Sequence, residues 1–449
     1  MADLVTWAER FIATPSESRL GNAAIADVAN ELLGELGLAG ELEAVHAGGV
    51  QHHLVSCEAG PAAGGTGLLL VTHLDTVPPG ELAAWTATGG DPWQPVRDGD
   101  RLYGLGSADA KVDFVCKAHA LAAERASLSA PVRLVGTFGE EIGMLGARWL
   151  VECGLTQGFG RALVGEPSEL AVIHAHKGYA VYEARVRLEP LPEPLSVAVA
   201  SHDVRGAAAH SSSPELGKNA LLAALALLEE SGAVGVAALA GGGAVNVVPE
   251  RCQIALASET RGAPDVLDAP VYAAKPLVKF LAAWRALEAS LRARRDARFS
   301  PSHSVASLGR VALEDGCAVF ALDVRPIPGD DAERLLAPLA DAAELRVVRK
   351  NPALETARDS ALVRALEAAQ RDAGLPVRVE TKATCTEAGI FAAAGLEAVV
   401  LGPGTSVGNV HKPNEHTRVS QLHQAVSLYR AALARLAGAA LADGGAACT

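Results

Sequence analysis

Histidine and acidic side chains recur in this sequence close after short apolar segments. In chain order, the candidates are His73, Asp109, Glu140 with Glu141, Glu166 and His411. Imidazole and carboxylate groups are the ligands that zinc-type ions favour. A site for two such ions needs several protein ligands, one of them a bridging carboxylate. The sequence supplies a candidate from five separate segments.

Taken singly, each of these residues has an ordinary structural explanation. A lone His-x-Asp is more often a loop hydrogen bond than part of a metal site. Asp109 can cap the helix that follows it, and adjacent glutamates suit the first turn of a helix. Glu166 can simply end a strand, and His411 can be a turn residue. Together, at the strand ends of one sheet, they favour a metal site.

The same residues would suit the hydrolysis of an amide bond. A divalent ion activates water for attack, and a carboxylate base accepts the proton. Because adjacent residues point to different places, one of Glu140 and Glu141 can face an ion and the other the water. Asp75 can accept a hydrogen bond from the imidazole nitrogen of His73 that does not bind the ion. Such a bond fixes the tautomer and direction of the ring.

The segments around these residues alternate between strand and helix patterns. Residues 3–40 have the spacing of a helix pair or of one long helix. Apolar strand patterns follow at 68–71, 132–135 and 162–164, with helical patterns at 114–126 and 145–153. This alternation predicts an α/β fold with a mixed open sheet flanked by helices. Ligands bind beyond the carboxyl ends of the strands in such sheets, where the candidates lie.

A different pattern begins near residue 179 and predicts an inserted domain over 179–352. Its order of strand, helix, two strands, helix and strand is typical of a smaller α+β domain, with a helix at 331–343. A helical elaboration is predicted within it, at about 263–297.

The α/β pattern returns after the insertion and completes the first domain. Helices are predicted at 359–373, 386–394 and 420–436. We therefore assign 1–178 and 353–449 to one catalytic domain. The C-terminal stretch 437–449 is rich in small residues and is expected to fray.

Composition narrows the possible partners. A length of 449 residues favours two domains. The net charge of −13 argues against nucleic acid or an anionic membrane as a partner, though not against an anionic small substrate. No signal peptide or membrane-spanning segment is recognisable. Seven scattered cysteines without a C-x-x-C pair argue against disulfides and against a cysteine-type zinc ribbon. We expect a cytoplasmic protein.

Eight segments resemble, in order, the motifs of one enzyme family. They are THLDTVP, GLGSADAKVDF, GTFGEEIGMLGAR, VGEPSE, GAAAHSSSPELGKNA, NVVPE, DVRPIPG, and GPG followed by VHKPNEH. From about residue 3 to 436 the chain is similar to the metallopeptidases and deacylases that include acetylornithine deacetylase, succinyl-diaminopimelate desuccinylase, aminoacylase and carboxypeptidase G. The resemblance implies a di-zinc exopeptidase-like catalytic domain. It also implies that the inserted domain is a lid that carries the contact of a homodimer.

The resemblance further implies a distribution of metal ligands. His73 and Glu166 would bind one divalent ion, and Glu141 and His411 the other. Asp109 would bridge the two ions. Zinc is the expected metal, with cobalt or manganese as alternatives.

Two acidic residues receive catalytic roles from the same resemblance. Glu140 would be the general base and proton shuttle, and Asp75 would orient His73. The Asp109–Ala110 peptide bond is expected to be cis.

Substrate contacts are also implied by the family resemblance. His210 would stabilise the oxyanion that forms during amide hydrolysis. Arg325 and Asn246 would hold the carboxylate of the substrate. Gly404 would belong to the substrate-side loop beside the last metal ligand. Glu387 would lie near the substrate pocket, although it can equally occupy the first turn of a helix.

Two positions depart from the family pattern. Val112 stands where a glycine is usual, and His416 stands where a tyrosine is usual. None of the implied metal or base positions is lost.

The leading hypothesis is a metal-dependent hydrolase that removes the acyl group from an N-acyl amino acid, with acetylornithine or acetyl-lysine favoured. The alternative is a di-zinc dipeptidase or carboxypeptidase. The extended inserted domain favours it, because an elaborated lid can close over a peptide-like ligand. A non-catalytic ligand-binding homologue is a third hypothesis, which would require a missing ligand or base.

Overall fold

A computed structural model of the chain describes residues 3–62, 66–191, 196–260 and 270–438. The described residues divide into two units, each with its own hydrophobic core. The first unit lies within 1–175, 354–381 and 386–449, and the second within 176–353 and 382–385. The predicted fraying at 437–449 falls almost wholly outside the described residues, as does the 263–269 part of the predicted helical elaboration.

The helices and strands follow in chain order. The first part of the chain contains α1 (Leu4–Ile12), α2 (Ala23–Glu35), β1 (Gly40–Ala47), β2 (Val50–Ala59), β3 (Gly67–His73), β4 (Val96–Asp98), β5 (Arg101–Tyr103), α3 (Lys111–Glu124), β6 (Val132–Thr137), α4 (Leu145–Glu152), β7 (Phe159–Gly165) and β8 (Val172–His176). The middle part contains β9 (Tyr179–Arg187), β10 (Val197–Arg205), α5 (Ala220–Ser231), β11 (Gly235–Gly242), β12 (Arg251–Glu259), β13 (Tyr272–Ala273), α6 (Lys275–Leu291), β14 (Val305–Glu314), β15 (Cys317–Arg325), α7 (Ala332–Leu335) and β16 (Glu344–Asn351). The last part contains β17 (Leu354–Glu355), α8 (Ala361–Asp372), β18 (Val379–Lys382), α9 (Ala388–Ala393), β19 (Glu397–Val400), β20 (His416–Arg418) and α10 (Val419–Leu436).

The first unit is built on a mixed open sheet, as the sequence predicts. Its strand order is β1-β2-β6-β3-β7-β19-β8-β17, and β18 pairs with β8. Strands β6, β3, β7 and β19 run parallel, whereas β1 and β2 are antiparallel to their neighbours. Side chains of α1, α2, α3, α8 and α10 pack into the core of this unit. Every residue of β3 is buried, as expected for a central strand of a covered sheet.

This sheet brings the predicted ligands to one edge. Because β3, β6 and β7 are parallel, their carboxyl ends lie side by side. His73 is the last residue of β3, Glu140 follows β6 by three residues, and Glu166 directly follows β7. The sheet therefore explains why residues far apart in the sequence can form one site.

The second unit is an α+β domain with an antiparallel sheet. Its strand order is β10-β12-β11-β14-β15-β9-β16, and β13 pairs with β11. Helices α5 and α6 pack their apolar residues into its core. The side chain of Asn219 accepts hydrogen bonds from the first turn of α5 and so caps the start of this helix.

One local prediction differs from the structure. The predicted helix at 331–343 is only the single turn α7, followed by a 3-10 turn at Ala337–Leu339. Pro338 accounts for the break, because proline removes a helical hydrogen bond and clashes with the preceding turn. The N-terminal region forms two helices, which is the first of the two arrangements that the sequence allows. The hairpin of β1 and β2, joined by Gly48 and Gly49, is not among the predicted elements.

No helix within the described ranges is both long and apolar enough to cross a membrane.

Candidate metal centre and active site

Two groups of ligand-type side chains share one aspartate at the carboxyl edge of the larger sheet. The first is His73, Asp109 and Glu166, and the second is Asp109, Glu141 and His411; within each group the donor atoms lie within 4.8 Å of one another. Oδ1 of Asp109 lies 3.1 Å from Nε2 of His73, and Oδ2 lies 3.0 Å from Nε2 of His411. Each oxygen of Asp109 therefore faces one group. Two imidazoles and three carboxylates fit two zinc-type ions.

The charges in this cluster also suit cations. Burial by itself would raise the pKa of Asp109, but hydrogen bonds from His411 and His73 outweigh it and lower that pKa. Burial opposes protonation of the two imidazoles, yet the nearby carboxylates raise the pKa of His73 and raise that of His411 to about 11. The carboxylate charges that favour protonated imidazole would equally favour a divalent ion, whose binding requires the neutral ring.

His411 has an unusual backbone conformation. Its φ is 58°, in the left-handed region that few residues other than glycine adopt. Its Nε2 lies 2.9 Å from Oε1 of Glu141. Such conformations persist where the surrounding structure enforces them, often at functional sites.

Glu140 adjoins both ligand groups. The residue is only 8% exposed. Burial, followed by the charges of Glu141 and Glu166, raises its pKa. A carboxyl with a raised pKa suits proton transfer near neutral pH.

The contact between Asp75 and His73 differs from the arrangement that the sequence predicts. Nδ1 of His73 lies 3.0 Å from the main-chain carbonyl oxygen of Asp75 and 3.8 Å from its Oδ1. The carboxylate accepts hydrogen bonds from the N–H groups of Glu140 (3.2 Å) and Glu141 (3.4 Å), and from the hydroxyl of Ser18 (2.5 Å). Asp75 thus contacts the ring through its main chain and the Glu140–Glu141 turn through its side chain.

Glu415 is a buried residue of the site that the sequence analysis does not assign. Its Oε1 accepts hydrogen bonds from the N–H groups of Ala108 (2.8 Å) and Asp109 (3.1 Å). Burial, with a contribution from Asp109, raises the pKa of Glu415 to about 8. Its place in the segment VHKPNEH, four residues after His411, is the only sequence signal for it. The Asp109–Ala110 peptide bond beside it is cis, as expected.

Glu387 lies beside the turn that carries Glu140. Its Oε2 accepts a hydrogen bond of 2.9 Å from the hydroxyl of Thr137, the last residue of β6. Its Oε1 is buried and has no hydrogen-bond partner among the described residues. Glu387 also directly precedes α9, so the alternative helix-start position is occupied as well.

Gly404 packs against the loop that carries Asp109. Its φ is 89°, and a Cβ at this position would lie 3.0 Å from the Cβ of Ala108. Its N–H donates a hydrogen bond of 2.7 Å to Oε1 of Gln421. A side chain here would be strained and would press on the loop before Asp109.

Glu387→Gln is expected to stabilise the metal-free protein, and more at pH 8 than at pH 5. Burial raises the pKa of Glu387 from 4.5 to about 8. A carboxyl with a raised pKa destabilises the fold progressively as the pH rises from the unfolded to the folded value, by about 1 kcal/mol per pH unit. Glutamine keeps the shape without the charge. The difference in Tm between variant and wild type should therefore grow from pH 5 to pH 8, and a constant difference would contradict this explanation.

The second unit contains His210, Asn246 and Arg325, and a chain of hydrogen bonds connects their segments. Ser211 donates its N–H to the carbonyl oxygen of Asn246 (3.0 Å) and its hydroxyl to Oδ2 of Asp323 (2.7 Å). Asp323 accepts hydrogen bonds from Nε (2.8 Å) and Nη2 (3.0 Å) of Arg325. Ser211 and Asp323 were not predicted, because nothing in their sequence positions marks them as partners.

Arg325 is held from two sides within its unit. Its guanidinium lies 3.8 Å from the ring centroid of Tyr179 and is paired with Asp323. Burial opposes its charge, but Asp323 outweighs burial and raises the pKa of Arg325. The Nε–Nη2 edge of the arginine is therefore already occupied by Asp323. A ligand carboxylate would have to bind another edge.

A mixed open sheet with imidazole and carboxylate side chains grouped at its carboxyl edge is the arrangement expected of a metal-dependent hydrolase. The chain belongs to peptidase family M20/M25/M40, whose sequence pattern matches residues 69–435. It is 28% identical over 448 residues to acetylornithine deacetylase of Myxococcus xanthus, with 95% of this chain and 96% of that protein covered. The predicted family is thus confirmed, and the chain is a metallohydrolase that acts on amide bonds.

Solved structures share the fold. The aminoacylhistidine dipeptidase of Vibrio alginolyticus is 17% identical with a TM-score of 0.65, over 95% of this chain and 96% of that one. The M20 family metallo-carboxypeptidase Sso-CP2 of Sulfolobus solfataricus is 17% identical with a TM-score of 0.62, over 97% and 99%. These similarities confirm the predicted fold class.

Proposed function

We propose that this protein removes the acyl group from an N-acyl amino acid with a positively charged side chain, such as acetylornithine or acetyl-lysine. The observation that carries the hydrolytic part is the pair of ligand groups sharing Asp109 beside Glu140. The similarity to acetylornithine deacetylase over nearly the whole chain supports the substrate class. A cytoplasmic location is part of the same proposal.

Five residues would hold two divalent ions. His73 and Glu166 would hold the first, Glu141 and His411 would hold the second, and Asp109 would be shared between the two groups. Zinc suits this mixture of nitrogen and oxygen donors, and cobalt or manganese can use the same donors. When bound, the ions supply Lewis acidity to the amide carbonyl and to the attacking water.

Glu140 carries the proton transfers. Its carboxylate accepts a proton from the attacking water and passes it to the leaving nitrogen. Burial and the charges of Glu141 and Glu166 raise the pKa of Glu140, which makes its carboxylate a stronger base than an exposed one. Asp75 holds the turn that bears Glu140 through the hydrogen bond to its N–H.

Glu387 would bind the cationic side chain of the substrate. A buried carboxylate oxygen without a partner among the described residues gains most from a ligand that brings a positive charge. Such a partner would also lower the raised pKa of Glu387. Gly404 would keep the substrate-side loop close to Asp109.

The second unit would supply the remaining substrate contacts. His210 would donate a hydrogen bond to the oxyanion, and Arg325 with Asn246 would hold the substrate carboxylate. We include in the proposal a homodimer formed through this unit, which the family resemblance supports.

A substrate panel tests this proposal. We expect kcat/KM for N-acetyl-ornithine and N-acetyl-lysine to exceed that for N-acetyl-leucine and for a set of dipeptides. Glu387→Gln should lower kcat/KM for the cationic substrates by about 10- to 100-fold, the value of a lost charged hydrogen bond, and leave N-acetyl-leucine almost unaffected. Hydrolysis of dipeptides alone would reject the deacylase proposal and favour a dipeptidase or carboxypeptidase.

A further inference from the structure

A buried ion pair contacts the two strands that carry His73 and Glu166 of the first ligand group. Asp113 and Lys117 are one turn apart on α3, and Oδ2 of Asp113 lies 2.7 Å from Nζ of Lys117. The two side chains are almost completely inaccessible to solvent. Neither residue has a part in the proposed chemistry, so their burial needs another explanation.

The pair is bonded to the end of β3. Nζ of Lys117 donates hydrogen bonds to the carbonyl oxygen of Val71 (2.7 Å) and to Oγ1 of Thr72 (3.0 Å). The hydroxyl of Thr72 donates in turn to Oδ2 of Asp113 (2.7 Å). Thr72 directly precedes His73, so these bonds fix the backbone from which that ligand projects.

The pair is also fitted against β7. Nζ of Lys117 lies 3.3 Å from the carbonyl oxygen of Leu163. A Cβ on Gly165 would lie 1.9 Å from Oδ2 of Asp113 and 2.7 Å from Nζ of Lys117. Only a glycine therefore leaves room for the pair. Gly165 directly precedes Glu166.

Asp113 also contacts α10, the last helix, and through it the end of β19. The hydroxyl of Tyr429, on α10, lies 2.5 Å from Oδ1 of Asp113 and 2.7 Å from the carbonyl oxygen of Leu401, just after β19. The helix α3 that bears the pair begins two residues after Asp109. One cluster thus connects the segments that carry every member of the first ligand group.

Stability alone does not explain such a pair. Replacing a buried ion pair by apolar residues of similar volume is often neutral or stabilising, because desolvation offsets the attraction. We infer that Asp113 and Lys117 are positioning residues that set the affinity of the His73–Asp109–Glu166 group for a divalent ion. The inference rests on the proposed metal-dependent function.

Two variants of the full chain, each with only one ligand group intact, allow the inference to be tested. His411→Ala removes a ligand of the second group and keeps the first, whereas His73→Ala does the reverse. Asp113→Leu with Lys117→Met is added to each. Titration with Co²⁺, followed by its visible absorption, and competition for Zn²⁺ with a chromophoric chelator give the affinities.

We expect the apolar pair to weaken metal binding about 10- to 100-fold in the His411→Ala protein and by less than about 3-fold in the His73→Ala protein, as for other residues that orient metal ligands. The Co²⁺ absorption spectrum of the first group should also change, which a loss of stability alone would not produce. Equal affinities with and without the pair would overturn the inference. Equal weakening in both proteins would overturn its assignment to the first group.

Matched variants keep the test interpretable. Arg430→Met removes an exposed ion pair with Glu124 (2.7 Å) that joins the same helices α10 and α3, and it should leave both affinities unchanged. Tyr429→Phe removes only the hydroxyl next to Asp113 and should shift the first affinity in the same direction by a smaller factor. If the double variant does not fold, Tyr429→Phe becomes the test. An unchanged affinity of the first ligand group in that variant would then overturn the inference. Two bound ions in wild type with unaffected variants would refute the positioning role alone, whereas no bound ion in wild type would refute the proposed function as well.

Discussion

Glu140→Gln is expected to lower kcat by about 10²- to 10⁴-fold while the protein keeps its divalent ions. Glutamine preserves the shape of the side chain and its main-chain contact with Asp75, but it cannot accept the proton of the attacking water. Because Glu140 belongs to neither ligand group, the metal content should not change. Steady-state kinetics with the best substrate of the panel and metal analysis of the same sample measure both effects.

The adjacent glutamate provides the control for this prediction. Oε1 of Glu141 lies 2.9 Å from Nε2 of His411, within the second ligand group. Glu141→Gln should therefore release or weaken one ion, whereas Glu140→Gln should not. Near-normal turnover in the Glu140→Gln enzyme would refute the role of Glu140 as the base. Metal loss in that variant would show that the two glutamates have been assigned the wrong way round.

Asp109→Ala is expected to remove both ions and to lower kcat/KM by at least about 10⁴-fold, because loss of the Lewis acids raises the barrier by several kcal/mol. The reason is geometric, since each carboxylate oxygen of Asp109 faces a different ligand group. His73→Ala should instead remove mainly the first ion. Metal content per folded chain distinguishes these two outcomes.

Asp98→Ala is a suitable control for the aspartate prediction. Asp98 is exposed on β4 and belongs to neither ligand group. This variant should keep the metal content and kcat/KM of the wild type. An Asp109→Ala protein that still binds two ions would contradict the shared position of Asp109.

The sequence was sufficient to predict the edge of the sheet at which the site lies. Strands β3, β6 and β7 are short apolar runs, and polar residues follow each of them. Their parallel arrangement, which the alternation with helices indicates, brings His73, Glu140 and Glu166 to one edge. The ligand-type character of these residues then follows from their chemistry alone.

The contacts that support the site could not be predicted in the same way. Asp113 and Lys117 have the spacing of an exposed ion pair on a helix, yet both are buried. Their partners, among them Thr72 and Tyr429, are 41 or more residues away in the sequence. Local pattern carries no information about such contacts, because they depend on which elements pack together.

The contact of Asp75 with His73 shows a detail that the sequence could not predict. The spacing of two residues predicts that Asp75 lies near His73, but it does not determine which oxygen contacts the ring. In the structure the carboxylate is engaged by Ser18 and by the turn at Glu140, so the main-chain oxygen contacts His73 instead. The predicted helix at 331–343 fails for a simpler reason, since Pro338 lies within it.

The proposed function depends on two divalent ions that share Asp109. Metal analysis of purified, active protein, followed by chelation and re-addition of Zn²⁺, tests it most directly. We predict two divalent ions per chain, loss of activity on chelation, and recovery when Zn²⁺ is restored. Fully active protein that contains no divalent ion and is insensitive to chelators would contradict the account.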